Sequence, residues 1–297
     1  MVVHFYTKNG LTHNLQVHLL HMTINDQIQL KLIELGGDII LIHSDIRQGF
    51  EIPFINKTTF LNAHIEKIKL LRTNMSIWMP SFNYDFVQKG KSYQVNNCPS
   101  QVGVLSEYFR RNDAEWRTPI PVFSFAGMGE QPILDISGMI NPFGWNSAWM
   151  FLYEKNALLM FYGASFNSST ILHYIETVSN CLCYRYDKLF YGKIEKSNGE
   201  EIDATLVYHV RPMGRRLVYD VNRTEDDLKK NDILFLFQES RSVILLCRVR
   251  DLVNFCLGKL KQDPLYFLDI ETKLWVEPLL NRLGRPFIIT DFEKSQD

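Results

Sequence analysis

Short, uninterrupted apolar runs constrain the fold of this chain more than any other feature of its sequence. Residues 39–42 read Ile-Ile-Leu-Ile, and residues 76–79 and 157–163 are similar in length and character. Such a run without polar alternation is typical of a strand that is buried on both faces of a parallel sheet. Helical periodicity is found in residues 1–35, after a short irregular start, and in residues 56–73. This alternation predicts an α/β fold with a central sheet flanked by helices.

The pattern changes at about residue 180. Residues 181–194 and 201–211 alternate polar residues with tyrosine, valine and leucine, and the Asn198-Gly199 pair between them is a hairpin signal. Further strands are predicted at residues 216–221, 233–238 and 242–247. We interpret residues 180–250 as a β-rich portion that is integrated into a single α/β domain of residues 1–297.

Composition limits the class of protein. The chain has 297 residues, of which 46% are hydrophobic and 13% aromatic, enough for a substantial core. The formal net charge is −1, so no overall field favours nucleic acid or an anionic membrane surface. An anionic ligand would therefore have to be bound by local groups.

The sequence predicts a soluble cytoplasmic protein without a membrane span, because no run of about 18 apolar residues occurs and the N-terminus lacks a signal-peptide pattern. The chain has five cysteines and no Cys-x-x-Cys, which favours free thiols: Cys98, Cys181, Cys183, Cys247 and Cys256. His18 and His21 have a spacing that metals use, but no third ligand accompanies them, so no metal site is expected. The sequence leaves the oligomeric state open, a homodimer included.

Polar side chains follow the predicted strands at the points where the strands end. In open α/β sheets, ligands bind beyond the C-terminal strand ends, so these junctions predict a common cleft. Hydroxyls, backbone amides and arginines there suit a pantetheine-phosphate ligand. The residues assigned to cofactor binding are His43, Ser44, Asp45, Ser81, Ser100, Ser106, Arg110, Arg117, Thr118 and Ser124. Ser100 is also the predicted N-cap of the helix that carries Ser106.

His173 and Glu176 follow another buried strand, three residues apart. If the segment that begins at Thr170 is helical, the two side chains share a face. A carboxylate in that position holds an imidazole in one tautomer and raises its basicity, as a general base requires. A surface ion pair is the alternative interpretation of this spacing.

Several catalytic motifs are absent from the sequence. No Gly-x-Gly-x-x-Gly follows a predicted strand, and neither Gly-x-x-x-x-Gly-Lys-Ser/Thr nor Gly-x-Ser-x-Gly occurs. The usual dinucleotide-binding, P-loop and serine-hydrolase interpretations are therefore excluded.

Taken together, six motifs resemble the aminoglycoside 3-N-acetyltransferase family, also called the antibiotic N-acetyltransferase fold. They occur in family order at residues 37–44, 79–86, 99–111, 117–129, 143–147 and 170–176. The resemblance implies transfer of an acyl group, acetyl or a short hydroxyacyl, from a coenzyme A thioester to an amine by direct attack. It assigns the base to His173 and Glu176, coenzyme A to the serine-bearing loops, and no metal.

The acceptor is less closely defined by the resemblance. The residues assigned to substrate binding are Asn83, Tyr84, Asp85, Glu107 and Thr170. Ile120 stands where the family usually has a histidine, which removes any polar contact made there. A polycationic aminoglycoside would favour a strongly acidic cleft, whereas arginines accompany the carboxylates in these motifs. The main hypothesis is therefore an amino-sugar nucleotide acceptor, and the alternative is an aminoglycoside antibiotic.

Two other classes of function remain open. One is a non-catalytic relative that only binds its ligands, which the intact His173 and Glu176 pair disfavours. The other is a hydrolase that uses His173, although no elbow serine is present to act as nucleophile. Within the transferase hypothesis, an acyl-enzyme on Cys98 is less favoured than direct attack, because no base accompanies that thiol in the sequence.

Overall fold

The computed structural model describes residues 22–47, 50–71, 74–88, 91–239 and 241–293. The predicted helical pattern before residue 22, and with it His18 and His21, lies outside the described residues. The helices of the described part are α1 (Ile24–Leu35), α2 (Lys57–Leu71), α3 (Val104–Asn112), α4 (Ala148–Glu154), α5 (Ile171–Val178), α6 (Val221–Lys230), α7 (Val249–Gln262) and α8 (Ile270–Leu283).

The strands of the described part form two sheets. They are β1 (Ile39–Ser44), β2 (Ser76–Pro80), β3 (Tyr93–Gln94), β4 (Trp116–Arg117), β5 (Phe125–Met128), β6 (Met139–Ile140), β7 (Leu158–Tyr162), β8 (Tyr186–Glu195), β9 (Glu201–Val210), β10 (Phe235–Glu239) and β11 (Ser242–Arg248). This mixed α/β architecture confirms the predicted fold class.

The main sheet is mixed, with the order β10-β11-β7-β1-β2-β5-β4. Its centre is parallel, because β1 pairs in parallel with both β2 and β7. The outer strands β11 and β5 run antiparallel to their inner neighbours. The carboxyl ends of β1, β2 and β7 therefore meet at one edge, as the polar residues at these strand ends predicted.

Both faces of β1 are covered, which explains its uninterrupted apolar sequence. Ile39 and Leu41 belong to one hydrophobic cluster with α4, α5 and α7. Ile40 and Ile42 point to the opposite cluster, with α1, α2 and α3. All four side chains are at most 4% exposed, so a strand of this kind gains no advantage from polar alternation.

The second sheet has the order β3-β8-β9-β6 and is built on the long β8–β9 hairpin. Its ten paired positions run from Tyr186–Val210 to Glu195–Glu201, with Asn198 and Gly199 in the turn as predicted. The predicted strand at residues 216–221 does not form, because this segment makes only an isolated bridge, between Tyr219 and Leu268. The strands β10 and β11 extend the main sheet instead.

Two further features differ from the sequence-based expectations. Gly103, not Ser100, occupies the N-cap position of α3, and its φ of 117° is a conformation that favours glycine. Helix α8 was not predicted, since Pro278 lies inside it and its apolar residues alternate with charged ones. Within the described residues, no helix is long and apolar enough to span a bilayer.

Candidate active site

A cleft of about 620 Å³ opens at the carboxyl edge of the parallel strands. His43 and Ser44 at the end of β1, Pro80 and Phe82 at the end of β2, and residues 167–170 after β7 form its floor. The opposite wall comes from the β8–β9 hairpin and the residues that flank it, and from residues 217–219 and 221. A volume of this size is typical of a site for a cofactor-sized ligand.

His173 lies in the cleft because α5 begins directly after the loop that follows β7. The ring is 23% exposed, and its Nδ1 lies 3.1 Å from Oε2 of Glu176, one helical turn away. Glu176 lies behind the ring and is only 1% exposed. The predicted helix and the shared face are both present, so the pair is not a surface ion pair.

Glu176 is held by four groups. Besides His173, the hydroxyls of Tyr184 and Tyr219 donate to its Oε1, Tyr184 at 2.7 Å. The Nε atom of Arg185 lies 3.2 Å from Oε2. Burial alone would raise the pKa of Glu176, but the charge of Arg185 and the hydrogen bonds from His173 and Tyr219 lower that pKa to about 2. The carboxylate is therefore ionised at neutral pH.

The ionised carboxylate fixes the tautomer of His173. A carboxylate only accepts hydrogen bonds, so Nδ1 of His173 carries the proton and Nε2 keeps its lone pair. Burial lowers the pKa of His173; the hydrogen bond to Glu176 opposes that shift, and the charge of Arg185 adds to it. The imidazole is thus neutral at physiological pH, with its basic nitrogen free for a substrate proton.

Three buried polar atoms in residues of the cleft have no hydrogen-bond partner among the described residues. They are Nε2 of His43, Oγ of Ser44 and Oγ of Ser169. Burial lowers the pKa of His43 to about 4, and its ring stacks on Phe161 with the ring centroids 5.4 Å apart. Buried polar groups are costly when unsatisfied, so these atoms fit a ligand with amide and carbonyl groups, such as the pantetheine arm of coenzyme A.

The cleft contains six of the residues predicted from the sequence: His43, Ser44, Tyr84, Ser106, Thr170 and His173. Glu176 joins them indirectly, through His173. Ile120, at the position where the family has a histidine, is 4% exposed and packs in the hydrophobic core rather than in the cleft.

Arg117 and two of the serines predicted to bind cofactor with it, Ser81 and Ser124, are buried and face inward rather than into the cleft. Its Nε donates to Oγ of Ser81 and of Ser124, and its terminal nitrogens donate to the carbonyls of Ser81, Val95 and Cys98. Since these contacts occupy the guanidinium, it has little capacity left for a phosphate. The neighbouring Thr118, 1% exposed, accepts a hydrogen bond from the amide of Phe125.

The predicted substrate carboxylates are also directed elsewhere. Glu107 accepts from the amide of Ser100 at 2.7 Å and pairs with Arg110 and Arg111. Asp85 lies 3.5 Å from Nζ of Lys91. Neither carboxylate lines the cleft, and neither do Ser100 and Arg110.

Two more predicted residues are used locally. Asn83 caps a 3₁₀ turn through the amide of Asp85 and donates to the carbonyl of Pro99. Asp45 pairs with Arg47 at 2.7 Å. Polar residues at strand ends therefore fall into two groups. Some line the cleft, and others form hydrogen bonds or ion pairs within the loops around it.

Among the cleft residues that the sequence did not predict are four charged or aromatic residues of the β-rich portion: Arg185, Tyr208, Arg211 and Tyr219. They come from the β-rich portion, and only the packing of its hairpin over the main sheet brings them to His173. The ring centroid of Tyr208, for example, lies 6.1 Å from that of His173. No spacing in the sequence predicted that these residues lie close to His173.

The described residues contain no group of three or more His, Cys, Asp or Glu side chains that could hold a metal ion. Cys98 is buried, accepts a hydrogen bond from the amide of Gln94, and does not line the cleft. This position further disfavours an acyl-enzyme on that thiol.

Comparison with known proteins identifies similar sequences and folds. The family model described as aminoglycoside 3-N-acetyltransferase matches residues 70–261, more than half of the chain. No curated protein matches the sequence. The apoenzyme of aminoglycoside acetyltransferase AAC(3)-IVa is 22% identical, with a TM-score of 0.61 over 82% of this chain and 91% of that one.

Two further solved structures are similar. The YokD protein from Bacillus subtilis is 17% identical, with a TM-score of 0.59 over 81% of this chain and 94% of that one. AAC-IIIb, solved as a binary complex with CoASH, is 14% identical, with a TM-score of 0.62 over 81% of this chain and 97% of that one. At these identities the structures demonstrate a common fold.

Proposed function

Because the chain belongs to the aminoglycoside 3-N-acetyltransferase family and is a coenzyme A-dependent N-acetyltransferase, we propose that it acetylates an amine of an amino sugar with His173 as general base. The observation that carries this proposal is the neutral imidazole in the cleft, with Nδ1 bound to ionised Glu176 and Nε2 free.

In the proposed reaction, the acceptor nitrogen attacks the thioester carbonyl carbon directly. A C–N bond forms while Nε2 of His173 takes a proton from the nitrogen. The resulting imidazolium is stabilised by Glu176. The tetrahedral intermediate then collapses, the C–S bond breaks, and the imidazolium returns its proton to the departing thiolate. General base catalysis of this kind typically contributes about 10²–10⁴-fold.

Ser44 is the proposed donor to the oxyanion. Its hydroxyl is buried in the cleft and has no hydrogen-bond partner among the described residues, so it is available to a charge that develops on the thioester oxygen. Ser100 and Ser124, which the sequence assigned to cofactor binding, do not line the cleft. The hydroxyl of Ser124 already donates to the carbonyl of Ser81, at 2.7 Å.

The general base is tested by thiol release from acetyl-CoA with His173→Ala and Glu176→Gln. We expect His173→Ala to lower kcat by about 10²–10⁴-fold and Glu176→Gln to lower it less, because the ring keeps a hydrogen-bonding partner. Arg47→Gln, at an exposed ion pair outside the cleft, is the matched control and retains the wild-type rate. Near wild-type turnover by His173→Ala would refute the assignment.

The acceptor has two candidates within the class of amino sugars. The family description favours an aminoglycoside, and a variant of the neighbouring enzyme AAC(3)-IVa was solved in complex with apramycin. An amino-sugar nucleotide is the second candidate, supported by Arg211, a cation that lines the cleft without an acidic partner among the described residues. A thiol-release screen that compares aminoglycosides with amino-sugar nucleotides separates the two.

A further inference from the structure

Two carboxylates within the family motifs, Glu176 and Glu107, are each neutralised by arginines of this chain. Glu176 is paired with Arg185 at 3.2 Å, and Glu107 with Arg110 at 2.8 Å and also with Arg111. The pKa of Glu107, like that of Glu176, is held at about 2. None of these carboxylates is left to bind an ammonium group of a ligand.

The residues that line the cleft leave it with a positive charge. None of the described residues that line it is an aspartate or a glutamate. Two are arginines, and one of them, Arg185, is buried and offset by Glu176. The other is Arg211, which is exposed and has no ion-pair partner among the described residues. The unbalanced charge of the cleft is therefore one positive charge.

Arg211 stands within reach of a substrate bound at His173. It follows directly on the last residue of β9 and lies three residues after Tyr208. The Tyr208 ring is 6.1 Å from the His173 ring. His173 and Arg211 line the same cleft of about 620 Å³, so one ligand of the size of a phosphorylated amino sugar can contact both.

We propose that the acceptor carries an anionic group, with phosphate the best fit, and that Arg211 binds this group while the amine reaches His173. A guanidinium binds phosphate through two parallel hydrogen bonds, which positions the ligand as well as attracting it. A polycationic acceptor would meet Arg211 with no free carboxylate to compensate. This inference rests on the proposed acetyl transfer and specifies its acceptor.

The test centres on glucosamine and glucosamine 6-phosphate, which differ by the phosphate alone, and adds a sugar nucleotide and a polycation. Thiol release from acetyl-CoA is measured with glucosamine, glucosamine 6-phosphate, UDP-glucosamine and apramycin as acceptors. For wild type we expect one of the two phosphorylated sugars to have a kcat/KM at least about tenfold above that of glucosamine. The reason is that its phosphate gains a hydrogen-bonded charge pair with Arg211. Apramycin, a polycation, should be the poorest acceptor.

Variants of two arginines locate the effect. Arg211→Gln should remove the preference for the phosphorylated sugar, and Arg211→Lys should retain part of it because a point charge remains. Arg215→Gln is the matched control on the same loop, since Arg215 lies over the Trp275 ring at 5.7 Å and does not line the cleft. It should preserve the wild-type preference.

Two results would overturn the inference. One is equal or better use of apramycin or glucosamine by wild type. The other is an increase in the KM of acetyl-CoA in Arg211→Gln that disappears with 3′-dephospho-acetyl-CoA, which would assign the arginine to a coenzyme A phosphate.

If no amine releases thiol, the proposed acetyl transfer fails, and calorimetry still tests the anion site. With coenzyme A present, wild type should bind glucosamine 6-phosphate more tightly than glucosamine, and Arg211→Gln should bind both equally. Equal binding by wild type would contradict the inference independently of catalysis.

Discussion

Two charged groups at the cleft differ in how their charges are balanced. Glu176, behind the base, is buried and contacts His173, Arg185 and two tyrosine hydroxyls. Arg211, in contrast, lines the cleft and is exposed without an ion-pair partner among the described residues. The first arrangement fixes the geometry of a proton acceptor before substrate arrives. The second leaves the positive charge of Arg211 available to pair with the ligand. Such a charge can make an enzyme selective for one acceptor without changing the reaction.

The largest expected difference between Arg185 and Arg211 is in their contribution to stability. Arg185→Met leaves the buried charge of Glu176 without its cation, a change that typically costs about 3–5 kcal/mol. Arg211→Met alters an exposed side chain and should change the free energy of unfolding by less than about 0.5 kcal/mol. Urea unfolding of both variants measures the contrast. Similar free energies would mean that the pairing of Glu176 contributes little to stability.

The next effect concerns the oxyanion. Ser44→Ala should lower kcat by about 10²–10³-fold, the range observed when an oxyanion donor is removed, and should leave the KM of acetyl-CoA almost unchanged. Ser169→Ala removes a second buried cleft hydroxyl that has no partner among the described residues, and it should raise that KM instead, because we assign Ser169 to the pantetheine arm. Steady-state kinetics with both variants distinguish the roles, and an exchange of the two patterns would exchange the assignments.

The sequence predicted the strand at Ile39 and the helix of His173 better than the position of Arg185 and Arg211, for a physical reason. The strand at Ile39 and the helix of His173 are each encoded by local patterns, one of continuous apolar residues and one of helical spacing. Arg185 and Arg211 flank a hairpin whose position over the main sheet depends on contacts between distant segments. No local pattern encodes that packing, so these arginines gave no signal of their role.

The same reasoning explains why Arg117, predicted from its motif to bind cofactor, faces away from the cleft. Its motif places it beside serines at a strand end, which suits a phosphate. Whether an arginine faces outward or inward depends on the acceptors that surround it, and here the carbonyls of Val95 and Cys98 are among them. The carboxyl ends of the parallel strands meet at one edge, as their polar residues predicted, whereas the direction of individual side chains depends on the tertiary structure.

A smaller effect separates the two tyrosines that donate to Glu176. Both Tyr184→Phe and Tyr219→Phe remove a hydrogen bond to a charged group, which is worth about 1.5–3 kcal/mol, so both should lower the melting temperature. Tyr219 also lines the cleft, and its hydroxyl lies 3.5 Å from Nδ1 of His173, whereas Tyr184 lines no part of it. Only Tyr219→Phe should therefore raise the KM of the acceptor. If Tyr184→Phe raises the KM of the acceptor equally, the increase is caused by the lost hydrogen bond to Glu176 and not by a contact between Tyr219 and the acceptor.

The smallest expected effect is a shift in the pH dependence of the base. The base must be unprotonated, and the pKa of His173 lies below its ordinary value of 6.5, chiefly because of burial. The acidic limb of kcat/KM assigned to this group should therefore fall below pH 6.5, with activity lost as the pH decreases through the lowered pKa. Arg185 contributes to this lowering, so Arg185→Gln should move the limb toward higher pH if the variant folds, and Arg185→Lys should restore it. Arg211→Gln should leave the limb in place, because Arg211 is not among the groups that shift the pKa of His173. A limb at or above pH 6.5 in wild type would show that another group controls the ionisation or that the ring is more solvated than its position indicates.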